Sequence, residues 1–162
     1  MEIVLVRVDC RLVHGQIIEA WVPYLKANCI YVVNDEVASD FFRETVIRMA
    51  VPEGVEVHFF EIDDFSSNLE RGDDRKRAIV LFANISDAAR AYKSGFRFTV
   101  LNLGNIYNED CRKRLSSCVQ LNDEEVVSLK ELIQSHVRIE LQRVPKEHPV
   151  NLLALPDLLD EM

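Results

Sequence analysis

The run Ile3-Val4-Leu5-Val6-Arg7-Val8 is apolar, and mostly β-branched, at nearly every position, so a strand built from it has no face to leave in water. Strands covered on both sides belong to parallel sheets flanked by helices, and the rest of the chain keeps to that plan. Ile17, Ile18, Trp21, Tyr24 and Leu25 recur near helical spacing, and Cys29 to Val33 reads as a second strand. Val37 to Ala50 reads as a helix with Phe41, Phe42, Thr45, Val46 and Met49 turned inward. Val55 to Phe60 is a third strand, Asp63 to Arg71 a helix, and Ala78 to Ala83 a fourth strand behind the charged run from Arg71 to Arg77. Ser86 is taken as the N-cap of a helix ending at Gly95, its C′ residue, and Phe96 to Leu103 as a fifth strand.

From Gly104 to Leu115 a polar, Asn-containing loop breaks the rhythm. Cys118 to Leu121 reads as a short edge strand, and Asn122 or Asp123 caps a helix carrying Val126, Leu129 and Ile133 on one face. Val137 to Val144 alternates as a half-buried strand, and a Leu-rich tail from Asn151 to Met162, interrupted by Pro156, reads as one or two helical turns. The expected fold is therefore α/β: a single domain over residues 1–162 with an open, doubly wound, mostly parallel sheet of about seven strands and helices on both faces.

A chain of 162 residues, 48% hydrophobic and 28% charged, can bury a full core without staples. The net charge of −8 argues against nucleic acid or an anionic membrane surface as a partner. Cys10, Cys29, Cys111 and Cys118 show no CxxC spacing and read as reduced thiols of a cytoplasmic protein. The first residues lack the pattern of a signal peptide, and no stretch is long enough to cross a bilayer.

Chemistry concentrates in Val8-Asp9-Cys10-Arg11-Leu12-Val13-His14-Gly15-Gln16, where the first strand hands over to the first helix. Open α/β sheets bind ligands beyond the carboxyl ends of their strands, and a helix start there favours anions, a phosphoryl group first among them. A neutral imidazole attacks phosphorus readily, and the N–P bond it forms holds enough free energy to pass the group on. On that reading His14 is the nucleophile, Arg11 holds the equatorial oxygens, Asp9 accepts the second imidazole N–H, and the backbone N–H groups of Gly15 and Gln16 add donors. The plainer alternative is a surface histidine at a helix start, with Arg11 and Asp9 solvated or paired with each other.

Other features are weaker. Asn102-Leu103-Gly104-Asn105 ends a strand on the active edge, where its backbone either approaches a phosphate or only turns the chain. Arg112-Lys113-Arg114 either meets an acidic partner or is a solvated face. His58 fits a half-buried structural residue, His136 a helix end and His148 a polar loop, while Cys10 reads as an apolar filler of the His14 loop. With neither GxGxxG nor GxxxxGK[ST], a Rossmann-like nucleotide binder has little support.

The stretch from Arg7 to Ile17, with Trp21 behind it, closely resembles the phosphorylation loop of the mannose/fructose/sorbose-type IIB subunits of the bacterial phosphoenolpyruvate-dependent sugar phosphotransferase system. That loop usually reads Arg-hydrophobic-Asp-Asp-Arg-Leu-hydrophobic-His-Gly-Gln. The likeness continues through Val32-Val33-Asn34-Asp35, Leu101 to Asn105, Leu121 to Glu125 and Val144-Pro145. It implies that His14 accepts a phosphoryl group from the phosphohistidine of a IIA protein and donates it to a sugar entering through IIC and IID membrane subunits. It further implies that Arg11 steadies the phosphate, that Asp9 assists the imidazole, that no metal or nucleotide cofactor takes part, and that the protein is cytoplasmic and peripherally attached to the permease. Cys10 departs from the pattern by replacing the second aspartate, and Ile106 to Leu115, with Asn108-Glu109-Asp110, is more acidic than usual. A regulatory phosphoprotein that keeps phosphate on His14 without passing it to a sugar is the alternative function. The Leu-rich tail is compatible with a homodimer.

Overall fold

A computed structural model describes residues 1–69 and 72–155. The chain runs β1 (Glu2–Val8), a π-helical segment (Gln16–Trp21) continuing into α1 (Val22–Leu25), β2 (Cys29–Val33), α2 (Asp35–Ala38), α3 (Phe41–Ala50), β3 (Glu56–Phe60) and α4 (Ile62–Asn68). It continues through β4 (Arg77–Phe82), α5 (Ile85–Lys93), β5 (Val100–Leu103), β6 (Lys113–Ser116), β7 (Val119–Leu121) and α6 (Asp123–Gln134). β8 (Arg138–Leu141), β9 (Val150–Asn151) and a 3-10 turn (Leu152–Ala154) close the described part.

Seven strands form one sheet in the order β3-β2-β4-β1-β5-β8-β9, parallel except where β9 returns antiparallel to β8. β1 lies near the middle, fully buried at Val8 and flanked by β4 and β5, so its carboxyl end opens onto the edge at which open α/β sheets place their ligands. One face carries Phe65, Ile85, Ala88 and Leu129 from α4, α5 and α6; the other carries Ile17, Trp21, Val22 and Val37. Both faces are thus covered, as the unbroken apolar strands require.

Several expected elements take a different form. The helix expected over Val37 to Ala50 is two helices, because Asn34 accepts from the Val37 N–H to cap α2 and Asp40 accepts from the Arg43 N–H to cap α3. α3 buries none of its residues, and Phe41 (84% exposed), Phe42 (76%), Val46 and Met49 point outward instead of inward. It lies toward the β3 edge of the sheet: Arg48 stacks its guanidinium 4.9 Å from the Phe59 ring and donates to the Val57 carbonyl. The N-cap of α5 is Asn84, which accepts from the Asp87 N–H, and not Ser86; Gly95 at φ +112° follows its last turn as expected.

The fifth strand begins only at Val100, Phe96 and Phe98 being buried in the core outside it. Val119–Leu121 is no edge of the main sheet; it pairs antiparallel with β6 in a separate hairpin, and β9 supplies the seventh strand. Lys113 and Arg114 of the basic cluster lie in β6, and Arg112, exposed just before it, has its Nε 3.0 Å from an exposed Asp123 carboxylate oxygen. The helix expected to Arg71 ends at Asn68, its last residues lying outside the described ones, as does the tail beyond Leu155. No helix among the described residues is long and apolar enough to cross a membrane.

Candidate active site

Asp9 follows the last residue of β1, and its backbone N–H still donates to the Phe82 carbonyl of β4 (2.9 Å). The chain then turns tightly, Leu12 N–H to Asp9 carbonyl at 2.9 Å, and Leu12 adopts φ +55°. A left-handed leucine costs on the order of 1–2 kcal/mol. Its side chain, 4% exposed, is sunk in the core beside Ile17 and Trp21, and that burial offsets the strain. The loop is pinned from the other side as well, where the Cys10 N–H donates to the Asn105 carbonyl at 2.7 Å.

Within this frame the Asp9 carboxylate is fully buried and meets several groups. His14 Nε2 faces Oδ2 at 2.9 Å, close enough for an ion pair though not aligned as a hydrogen bond. The Asn105 side-chain N–H donates to the same oxygen at 2.9 Å, and the Arg11 backbone N–H donates to Oδ1 at 3.2 Å. Burial pushes the Asp9 carboxyl upward, but the contacts with His14 and Asn105 and the charges of His14 and Arg7 outweigh it and hold Asp9 below its ordinary value. Asp9 is therefore a carboxylate at neutral pH, a permanent negative charge behind the imidazole.

The opposite ring nitrogen of His14, Nδ1, faces the start of the helix, where the Gln16 backbone N–H reaches it at 3.4 Å. The Gln16 side-chain oxygen accepts from Asn105 (2.9 Å) and from Arg11 (3.3 Å), tying the imidazole's neighbours together. Arg11 keeps half its side chain in solvent, with Nε 3.9 Å from Asp9 Oδ1. The helix opens with a π-helical turn, a form that recurs at functional sites.

The structure thus brings together Asp9, Arg11, His14 and Gln16, with Gly15 as the helix N-cap residue. Two expectations change. Cys10 is exposed, so it does not fill the loop's interior. Asn102 and Asn105 enter by their side chains as well as their backbone: Asn102 accepts from Arg7 and Asn105 bridges Asp9 to Gln16. His58 is half-buried, as expected, while His136 and His148 lie on the surface.

Sequence reasoning passed over Arg7 as a site residue. It is completely buried, and its guanidinium donates to the Gln142 carbonyl (2.7 Å), the Arg143 carbonyl (2.8 Å) and Asp9 Oδ2 (3.3 Å). It also lies 5.1 Å from the centre of the Trp21 ring, whose indole N–H donates to the Arg143 carbonyl. Burial lowers its pKa to about 10, with Asp9 opposing the shift, so it stays charged at neutral pH. The signal was present: a lone arginine in a doubly covered strand needs a partner, and Asp9, two residues on, shares its face.

Over residues 3–161 the chain matches the family described as PTS system sorbose subfamily IIB component. It is 30% identical over 153 residues to the N-acetylgalactosamine-specific phosphotransferase enzyme IIB component 2 of Escherichia coli (strain K12), covering 94% of this chain and 98% of that one. It is 26% identical over 165 residues to the mannose-specific EIIAB component of the same strain, where 99% of this chain spans 50% of the longer protein. The solved IIBSor domain of the sorbose permease from Klebsiella pneumoniae superposes with a TM-score of 0.86 at 28% identity, covering 100% of this chain and 98% of that one.

Proposed function

Because the chain belongs to the sorbose-subfamily IIB components of the phosphotransferase system, we propose that His14 is its phosphocarrier residue, loaded by a phospho-IIA protein and unloaded onto a sugar at IIC and IID membrane subunits. The observation that carries this reading is the 2.9 Å approach of His14 Nε2 to the buried Asp9 carboxylate. A carboxylate there favours the tautomer with hydrogen on Nε2, which leaves the lone pair on Nδ1, on the Gln16 side of the ring.

In the first step the Nδ1 lone pair forms the bond to phosphorus as the N–P bond of the IIA phosphohistidine breaks. Asp9 stabilises the positive charge that the ring acquires, and Arg11 meets the charge spread over the transferring oxygens. In the second step a sugar hydroxyl oxygen bonds to phosphorus as the Nδ1–P bond breaks; its electron pair returns to Nδ1, the hydroxyl proton passes to solvent water, and His14 regains its starting state. A relative named as an EIIAB component, with this chain aligning to half of it, supports a IIA protein as donor. The site of action is then the inner surface of a membrane, reached by docking on the permease.

Intact-mass measurement after incubation with phosphoenolpyruvate and the upstream carriers, a IIA protein included, tests the assignment. One acid-labile phosphoryl adduct is expected on the wild type and none on His14→Ala. An adduct that survives in His14→Ala overturns it.

A further inference from the structure

At the end of the sheet opposite the His14 loop, three potential ligands of different chemistry converge. Cys29 opens β2, and Glu56 and His58 lie on the neighbouring edge strand β3. Cys29 pairs with Glu56 in the parallel register and Tyr31 with His58, so the side chains of all four share one face of the sheet. The Cys29 Sγ, a Glu56 carboxylate oxygen and a His58 ring nitrogen all lie within 4.8 Å of one another. His58 Nε2 is 3.1 Å from Glu56 Oε2.

We propose that Cys29, Glu56 and His58 form a binding site for one zinc ion that fastens the edge strand β3 to β2. Zinc bonds of about 2.0–2.3 Å in a tetrahedron put neighbouring ligand atoms roughly 3.3–3.8 Å apart. The cluster therefore closes on the ion by shifts of an ångström or less, which the half-exposed side chains of Glu56 (57%) and His58 (41%) can make. The fourth position is left to water, which reaches the His58 side of the cluster through a cleft lined by Tyr31, His58, Phe60, Asn68 and Lys76.

The donor set selects the metal. Thiolate with imidazole excludes magnesium and calcium, and the carboxylate suits zinc better than cuprous copper. Binding takes the thiol proton of Cys29 to solvent and engages His58 as neutral imidazole. Lys76 reaches the same carboxylate, its Nζ 3.2 Å from Glu56 Oε2. Lys76 and zinc then compete for Glu56, which gives the site a signature that an adventitious surface thiol lacks.

Cobalt(II) titration of the reduced protein is the first test, because a cobalt–thiolate bond absorbs in the near ultraviolet. One equivalent with that band is expected, at least about tenfold weaker in His58→Gln and in Glu56→Gln. Tighter binding is expected in Lys76→Met, and the band should persist when Cys10, Cys111 and Cys118 are all replaced by serine. Zinc at 100 times its Kd should favour the folded state by about 100-fold and raise the melting temperature. A band that survives in Cys29→Ser, or affinity unchanged in His58→Gln, overturns the proposal. His58→Gln decides the matter if Cys29→Ser does not fold.

Discussion

The guanidinium of Arg7 occupies the space that a side chain on residue 104 would fill. A Cβ built on Gly104 lies 1.9 Å from Arg7 Nη2 and 2.2 Å from its Cζ. The glycine that follows β5 is therefore part of the His14 site, since it makes room for the cation that neutralises Asp9.

Gly104→Ala should accordingly act as a charge mutation. Pushing the guanidinium aside separates a buried ion pair, and a cost of about 2–4 kcal/mol is expected in urea unfolding, together with loss of phosphoryl acceptance. Gly15→Ala is the contrast. Nothing lies within 4 Å of its Cβ position and its φ of −52° is helical, so stability should change by less than about 1 kcal/mol. Equal destabilisation by the two changes would refute the account of Gly104.

Arg11→Ala separates catalysis from folding. With 52% of its side chain exposed, Arg11 contributes little to the core, and the unfolding midpoint should stay within about 0.5 kcal/mol of the wild type. The rate of phosphoryl transfer from a phospho-IIA protein should fall on the order of ten- to a thousandfold. An unchanged single-turnover rate would remove Arg11 from the mechanism.

Cys10→Asp restores a negative charge to the exposed position beside Asp9. It should repel the phosphohistidine and lower the equilibrium fraction phosphorylated by up to about fivefold, the range of an exposed charge interaction. The difference should shrink as salt is raised. A salt-independent difference would point to a geometric cause.

Asp87, in the first turn of α5, offers a pH test. Burial, reinforced by the charge of Asp35, raises its pKa from 3.8 to about 6. The folded protein then binds this proton more tightly than the unfolded one, so the wild type gains stability as pH falls from about 6 toward 4 and lacks that gain above 6. Asp87→Asn should be more stable than the wild type at pH 7.5, by on the order of 1–2 kcal/mol once solvent screening is allowed for. The advantage should vanish near pH 4. A difference that persists at pH 4 would mean that the carboxylate is not the source.

Much of this was legible in the residues themselves. Unbroken apolar strands at Ile3 to Val8 and Cys29 to Val33 dictate a doubly covered sheet, and the Asp9-to-Gln16 loop falls at its productive end. What escaped depended on where an element lies in the sheet. Phe41, Phe42, Val46 and Met49 have the spacing of a buried face, but α3 sits toward the β3 edge with no further layer above it, and periodicity carries no record of a missing neighbour. Residues 118–121 have the composition of a sheet strand, yet their partner is the nearby Lys113–Ser116, a pairing set by chain reversal. Arg7 was hidden for a related reason: two of its four acceptors are the main-chain carbonyls of Gln142 and Arg143, and every sequence carries carbonyls everywhere.

The reach of those contacts bears on when in its own assembly the protein becomes chemically competent. Arg7 is 135 positions from Gln142 and 136 from Arg143, and the carbonyl of Arg143 also takes the Trp21 indole N–H. A ribosome releases β1 and His14 long before it releases those carbonyls, and contacts of such separation close late. Until they do, the cation opposite Asp9 has no fixed seat and the imidazole no settled orientation. On the proposed function, phosphate uptake at His14 would report that the last parallel strand has docked, and a nascent chain could not draw on the cell's phosphoenolpyruvate before it is able to pass the group on.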